Sequence, residues 1–131
     1  MGNKLYQIVQ WENFKSLIEK NFRIVFRTVD DLFVNQPILH RWKVFKESEL
    51  FDTLSKLRPF KGTLLIITDA SYRNNLGPFE VEANNIQRFI GEHNKNFGEP
   101  FLDTDIIIVS IELKLAWVIH HEGVYALINL S

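Results

Sequence analysis

The spacing of apolar residues near the start of the chain predicts a helix and then a strand. Between residues 10 and 21 the apolar side chains recur at intervals of three and four, opposite charged and polar ones; they are Trp11, Phe14, Leu17 and Ile18. From Phe22 to Thr28 the period changes to two, because Phe22, Ile24 and Phe26 alternate with residues that include both arginines. This period is typical of a strand with one buried face.

A continuous apolar run at Thr63–Asp69 predicts the main strand in the middle of the chain. Its length and its branched residues favour a central strand that is covered on both faces. A short strand at His40–Val44 and a helix at Leu50–Leu57 are predicted before it. The helix ends ahead of Pro59, because the residue that precedes a proline disfavours helical geometry. After the central strand, the Asn-Asn and Gly-Pro dipeptides of Ala70–Pro78 indicate a loop.

The remaining sequence predicts one helix and three strands. Asn84 and Gln87 have the spacing of a capping box, which indicates that a helix begins there. Its inward-facing residues are Ile86, Phe89 and Ile90. Three strand-like runs follow, with connections short enough for an antiparallel meander; they are Ile106–Ser110, Leu115–His120 and Val124–Leu130. The predicted fold class is α+β: a single compact domain over residues 1–131, with a mixed or antiparallel sheet that ends in this three-stranded meander and is covered by three to four helices.

Composition and charge limit the kinds of protein that the chain can be. Its 131 residues include no cysteine, which excludes disulfides and thiolate metal sites. No signal peptide is recognisable, and the wholly apolar runs are far too short to cross a bilayer, so we expect a cytoplasmic protein. Residues 1–61 carry eleven Lys and Arg against seven Asp and Glu, whereas residues 62–131 carry four against nine. Either the two halves give two faces of the protein electrostatic potentials of opposite sign, or folding interleaves the halves and the charge asymmetry averages out.

The run His120-His121-Glu122-Gly123 has the composition of a metal site or an acid–base pair. However, adjacent strand residues point to opposite faces, and the spacing of histidines in a metal-binding helix is absent. Gly123 can supply the positive φ that a hairpin needs, between apolar runs that serve as its arms. We therefore predict a hairpin without a metal ion, and a partner contact at its tip stays open. The arms are expected to pack through Trp117, Ile119 and Tyr125.

The segment Arg41–Lys46 interleaves basic and aromatic residues, a composition that can bind single-stranded nucleic acid. The pI of about 6.4 and the lack of an RNA-binding motif argue against that function. We expect Trp42 and Val44 to face the core, with Arg41 and Lys43 in water. A small nucleic-acid-associated protein that uses this segment remains the alternative function.

Several carboxylates occur in pairs, which suits acid–base catalysis or Mg²⁺ binding. No histidine, lysine or phosphate-binding loop stands beside them at a diagnostic spacing, so helix caps and solvated strand faces account for most of them. We therefore expect no enzymatic activity, no cofactor and no small-molecule substrate. The acidic residues concerned are Asp30-Asp31, Glu80 with Glu82, Asp103 with Asp105, and Asp69 at the end of the central strand.

The order of features in the second half of the chain is also informative. A buried strand that ends at Thr68-Asp69 leads through a polar loop to GPFEVEANNIQRFIGEH (residues 77–93). The sequence DTDIIIVSIELKLAWVIHHEGVYALI (residues 103–128) then supplies two strands and a closing hairpin. Over residues 60–130 this pattern resembles small immunity proteins of bacterial toxin–immunity systems, in particular those of contact-dependent growth inhibition.

The resemblance implies a cytoplasmic protein without enzymatic activity that binds one cognate toxin domain, one to one, and neutralises it. The toxins of such systems are commonly nucleases, which their inhibitors block at the catalytic cleft or beside it. Because a nuclease presents cationic surface to phosphates, acidic residues and an aromatic anchor are candidates for the contact. Charge and loop position select Tyr72, Glu80, Glu82, Asp103, Asp105 and Glu122 as the candidate partner-binding residues.

Overall fold

A computed structural model of the chain describes residues 5–22, 26–27, 31, 38–44, 49–98, 105–120 and 123–130, which form seven strands and four α-helices. The strands are β1 (Gln7–Ile8), β2 (Ile38–Val44), β3 (Thr63–Ile67), β4 (Phe79–Glu82), β5 (Ile106–Ser110), β6 (Leu115–His120) and β7 (Val124–Asn129). The helices are α1 (Trp11–Phe22), α2 (Leu50–Leu57), α3 (Asp69–Tyr72) and α4 (Ile86–Phe97), with 3₁₀ turns at Arg73–Asn75 and Ala83–Asn85.

All of these strands pair in one antiparallel sheet with the order β1-β4-β3-β5-β6-β7-β2. The last three strands form the predicted meander, in which Trp117 of β6 lies opposite Ile108 of β5 and Leu127 of β7. The α+β prediction is therefore confirmed. The two strands from the N-terminal half lie at the two edges, so within the sheet that half flanks the C-terminal strands on both sides.

The central strand β3 is covered on both faces, as its apolar run predicts. Leu64 and Ile66 point to one face, where they pack in a cluster with residues of α2 and α4. Leu65 and Ile67 point to the other face and pack with α1. All four are buried, and each such side chain contributes roughly 1.5–3 kcal/mol relative to exposure. The strand is thus firmly placed, and so is the start of the segment that follows it.

The three longer helices form at the positions that the periodicity predicts. In α1, Phe14 and Ile18 are fully buried, whereas Leu17 is 38% exposed. At 100° per residue, Phe14 and Ile18 point in nearly the same direction, and Leu17 points roughly 80° away from the direction midway between them. Leu17 therefore lies at the margin of the apolar face of the helix. On the opposite face of the sheet the buried apolar residues of the two longer helices are Leu50 and Leu54 of α2 and Ile86 and Phe89 of α4.

The prediction of a strand over residues 22–28 is wrong for the three of these residues that the structure describes. Phe22 is the last residue of α1, and neither Phe26 nor Arg27 belongs to a strand. The other residues of the segment lie outside the described residues. Phe26 is nevertheless buried and packs edge-on against Phe14, with ring centroids 5.4 Å apart. At Phe26, therefore, the apolar position reflects packing against Phe14 of α1 and not a place in a strand.

The region between β3 and α4 is more regular than the sequence indicates. The predicted loop begins as α3, continues as the 3₁₀ turn and leads to β4, a strand that the pattern did not predict. The capping box predicted at Asn84 and Gln87 is not where α4 begins, since the helix starts at Ile86 after a 3₁₀ turn. A capping box is instead formed by Thr68 and Ser71 at α3.

The predicted hairpin between β6 and β7 is confirmed. Gly123 has a φ of +89°, and its amide donates a hydrogen bond to the His120 carbonyl at 2.9 Å. The three residues expected to pack from its arms are all buried: Trp117, Ile119 and Tyr125. His121 and Glu122 lie outside the described residues.

Candidate functional site

The predicted partner-binding residues are divided between the two ends of the sheet. We call the end at which β3 leaves the sheet the Thr68 end, and the opposite end the Thr63 end. Tyr72 follows Thr68 in α3, and Asp105 directly precedes β5, the neighbour of β3, so both lie at the Thr68 end. Glu82 lies opposite Thr63, about 17 Å away along the strands at roughly 3.4 Å per residue.

The other predicted carboxylates on the strands face the same side as α1. Glu80 lies opposite Leu65, whose side chain packs with α1, and it is half-buried. Glu82 is exposed, and its Oε1 accepts a hydrogen bond from Thr63 Oγ1 at 2.8 Å. These two residues therefore lie along β4, away from the Thr68 end. Asp103 and Glu122 lie outside the described residues.

Tyr72 is an exposed aromatic residue that the fold holds in one orientation. Its side chain is 51% exposed, and its ring stacks on that of Trp11 with centroids 5.3 Å apart and planes 23° from parallel. The Trp11 indole N–H in turn donates to the Ser71 carbonyl at 3.0 Å. An aromatic pair of this kind contributes about 0.5–1.5 kcal/mol beyond area burial. Helix α1 thus positions Tyr72 at the surface.

Buried polar groups fix the backbone beneath Tyr72. The Thr68 amide donates to Ser71 Oγ at 3.0 Å as part of the capping box. His93 of α4 places its Nε2 3.2 Å from Thr68 Oγ1. All three residues are buried, and a buried polar group that loses its partner costs about 1–3 kcal/mol. This hydrogen-bonded set ties α3 to α4.

Gly77 fixes the other end of the segment that carries Tyr72. Its φ is +106°, and a Cβ at this position would collide with the carbonyl oxygen of Val9. The Gly77 amide donates to the Ser71 carbonyl at 2.8 Å, and the Val9 amide donates to the Pro78 carbonyl at 2.9 Å. The segment therefore lies flat against the chain that links β1 to α1, and only glycine fits the contact.

Between these fixed ends, the 3₁₀ turn at Arg73–Asn75 projects from the surface. All three of its residues are exposed. Asn74 and Asn75 have φ of +53° and +56°, in the left-handed region. This region costs a residue with a side chain about 1–2 kcal/mol, and asparagine enters it more readily than most. The fold thus presents Tyr72 and this turn together at the Thr68 end.

Asp105 and His120 form an exposed contact across β5 and β6. Asp105 Oδ1 lies 3.8 Å from His120 Nε2, and the side chains are 57% and 34% exposed. The contact becomes an ion pair only when His120 is protonated, and pairs of this exposure contribute about 0–1 kcal/mol. Asp69 is also exposed, in the first turn of α3. The described carboxylates at the Thr68 end are therefore accessible to a partner.

The basic and aromatic segment Arg41–Lys46 begins within β2, at the opposite edge of the sheet from β1. Lys43 is exposed, as predicted. Val44 was expected to face the core, and this expectation is wrong, since it is 81% exposed. Val44 is the last residue of an edge strand, opposite Val124, which leaves it largely uncovered. The remaining side chains of the segment lie outside the described residues.

Within the described ranges, no three histidine, aspartate or glutamate side chains come together as ligands for a metal ion. No helix in the part of the chain that the structure describes has the length and apolar character needed to cross a membrane.

The sequence predicts Tyr72 as a candidate aromatic anchor, but it does not reveal the residues that position its ring. Trp11 was assigned to the inward face of α1, and the structure shows it partly buried, in contact with a segment 60 residues away. The Asn-Asn dipeptide is the sequence signal for the turn, because asparagine tolerates a positive φ better than any residue except glycine. No local pattern signals the contact between Gly77 and Val9.

Comparison of the chain with protein families, with curated proteins and with solved structures gave no match. The functional interpretation therefore rests on the pattern of residues 60–130 and on the surface at the Thr68 end.

Proposed function

We propose that this chain is an immunity protein: a cytoplasmic binding module, not an enzyme, that binds one cognate toxin domain and neutralises it. The resemblance of residues 60–130 to immunity proteins of contact-dependent growth inhibition supports this class. The observation that carries the proposal is the fixed, exposed ring of Tyr72, stacked on Trp11. Aromatic side chains held in place at a surface are the residues that most often dominate binding energy at protein interfaces.

The charges near Tyr72 suit a toxin that acts on nucleic acid. A nuclease presents cationic surface to phosphates. Asp105 and Asp69 are exposed at the same end of the sheet as Tyr72, so both can face such a surface. Complementary charge accelerates association and discriminates against wrong partners, while the buried aromatic contact slows dissociation. Docking there would cover the toxin's catalytic cleft or its path for substrate.

The direct test begins with the gene immediately upstream of this chain, where the proposal predicts that a toxin domain is encoded. Cells that express the domain alone are expected to stop growing, and cells that also express this chain are expected to grow. Native mass spectrometry of the mixed proteins should show a one-to-one complex. Continued arrest together with no detectable complex would contradict the proposal.

Substitutions at the two ends of the sheet locate the contact. Tyr72→Ala should raise the Kd by about 30-fold or more, since loss of a hot-spot aromatic costs about 2 kcal/mol or more. Tyr72→Phe keeps the ring and the stack on Trp11, and it should bind nearly as well as the wild type. Asp105→Lys should weaken binding, whereas Glu82→Lys, a matched charge reversal at the Thr63 end, should not. If Glu82→Lys proved the more harmful, the proposed contact surface would be wrong.

A further inference from the structure

The turn at Arg73–Asn75 has a backbone shape that most residues with a side chain disfavour, although asparagine tolerates it better than the others. Asn74 has φ +53° and ψ +25°, and Asn75 has φ +56°, so two successive residues with side chains occupy the left-handed region. Glycine adopts this region without a steric penalty, yet both positions carry an amide side chain. Strained backbone of this kind concentrates at ligand and partner sites. It suggests that the amides themselves have a role.

The surrounding structure prevents the turn from relaxing. The Ser71 carbonyl, before the turn, accepts hydrogen bonds from the Trp11 indole at 3.0 Å and from the Gly77 amide at 2.8 Å. Within the turn, the Leu76 amide donates to the Arg73 carbonyl at 3.1 Å. The turn is therefore closed internally and fastened to α1 and to the far side of the loop, while its three side chains are exposed.

We propose that Arg73, Asn74 and Asn75 form a preformed recognition turn that selects the partner by hydrogen bonding beside Tyr72. This inference rests on the proposed function, because the partner is the cognate toxin domain. A guanidinium is a hydrogen-bond donor without an acceptor, and each asparagine amide offers two donors and one acceptor oxygen. The complementary toxin surface therefore presents carboxylate or carbonyl oxygens to Arg73, and both carbonyl oxygens and N–H groups to the asparagines, around an apolar patch that receives the Tyr72 ring.

A turn that is already in its bound shape gives both affinity and selectivity. Little conformational entropy is lost on binding, so each new hydrogen bond contributes more of its strength to the affinity. A toxin domain that lacks the matching acceptors would leave the donors desolvated and unpaired, and it would be rejected. Tyr72 would supply affinity for an apolar patch on the toxin domain. The hydrogen bonds of the turn would select the toxin domain whose polar groups match around that patch.

The test measures the affinity and dissociation rate of the full chain with the toxin domain that the proposed function predicts to be encoded upstream. The double variant Asn74→Gly with Asn75→Gly removes both amides and keeps a backbone that accepts positive φ. It should raise the Kd by about tenfold or more, mainly through faster dissociation, while the unfolding midpoint does not fall. The matched control, Gln87→Ala with Lys95→Ala, removes an exposed amide and an exposed cation from α4 and should bind as the wild type does.

Substitutions of Arg73 test the chemistry of the surface that it faces. Arg73→Ala should raise the Kd by about tenfold, and Arg73→Glu should raise it further, because the facing oxygens would repel a carboxylate. Wild-type affinity in the double glycine variant, or tighter binding by Arg73→Glu, would overturn the inference while leaving the proposed function standing. If the unaltered chain formed no complex, the proposed function would fail and this inference would fail with it.

Discussion

Replacing Gly77 with alanine tests whether the segment between β3 and β4 is held as the structure shows. The φ of Gly77 is +106°, a conformation that residues with a side chain rarely adopt. The added methyl group would also meet the carbonyl oxygen of Val9, which is backbone and cannot rotate away. Either the loop or the chain after β1 must therefore move.

The cost can be worked out from the interactions that such a movement affects. Backbone strain at an unfavourable φ costs roughly 1–3 kcal/mol. Separating the loop from Val9 also disrupts the bonds from Val9 to Pro78 and from Gly77 to Ser71, at about 0.5–1.5 kcal/mol each. The expected fall in the free energy of unfolding is thus about 2–6 kcal/mol, against a total of about 5–15 kcal/mol for a typical domain.

Two other glycines serve as controls in the same assay. Gly123 also has a positive φ, +89°, but nothing lies within 4 Å of a Cβ there, so Gly123→Ala should cost only the strain, about 1–2 kcal/mol. Gly91 lies in α4 with open space around it, so Gly91→Ala should raise stability by about 0.5–1 kcal/mol. Urea unfolding followed by circular dichroism gives all three values. If Gly77→Ala cost no more than Gly123→Ala, the packing of the loop against Val9 would be refuted.

Three further predictions concern the core, the buried polar set and the exposed pair. Phe14→Ala should lower the free energy of unfolding by about 3–5 kcal/mol, because Phe14 is fully buried between α1 and the sheet; a urea titration that gives less than half of this would contradict the packing. Thr68→Val should cost about 1–3 kcal/mol by removing the hydroxyl beside His93, whereas Thr68→Ser should cost clearly less in thermal unfolding. Asp105→Asn should change stability by less than about 1 kcal/mol, and this small effect should shrink further in high salt.

The sequence predicts those helices and strands whose own pattern of apolar and polar residues shows which of their faces are buried. β3 and β5 are continuous apolar runs because both of their faces are buried. A run of this kind by itself indicates a strand that is covered on both sides. β4 is different: it has four residues, two of them glutamates, and it becomes a strand by pairing with β3 and β1. β1 has only two residues. Elements this short are determined by their neighbours, which the local sequence does not reveal.

The candidate site shows the same limit more strongly. The sequence marks Tyr72 as an aromatic residue within a polar stretch, and this signal is entirely local. Its orientation depends on Trp11, and the shape of the loop depends on the contact of Gly77 with Val9. Each of these contacts joins residues more than 50 positions apart. Periodicity places residues on the faces of an element, but it does not indicate which faces meet.

The positions of the charges decide how a cationic partner can be recognised. Glu82 and Asp105 lie about 20 Å apart along the strands, roughly two and a half Debye lengths at physiological ionic strength, so Glu82 contributes little to the field at the Thr68 end. That end carries the exposed carboxylates of Asp69 and Asp105 and also the exposed cation Arg73, four residues after Asp69. A surface of mixed sign does not act as a general substitute for a nucleic acid backbone. Recognition there must depend on matched individual contacts, which is what a fixed aromatic ring beside a rigid turn can provide.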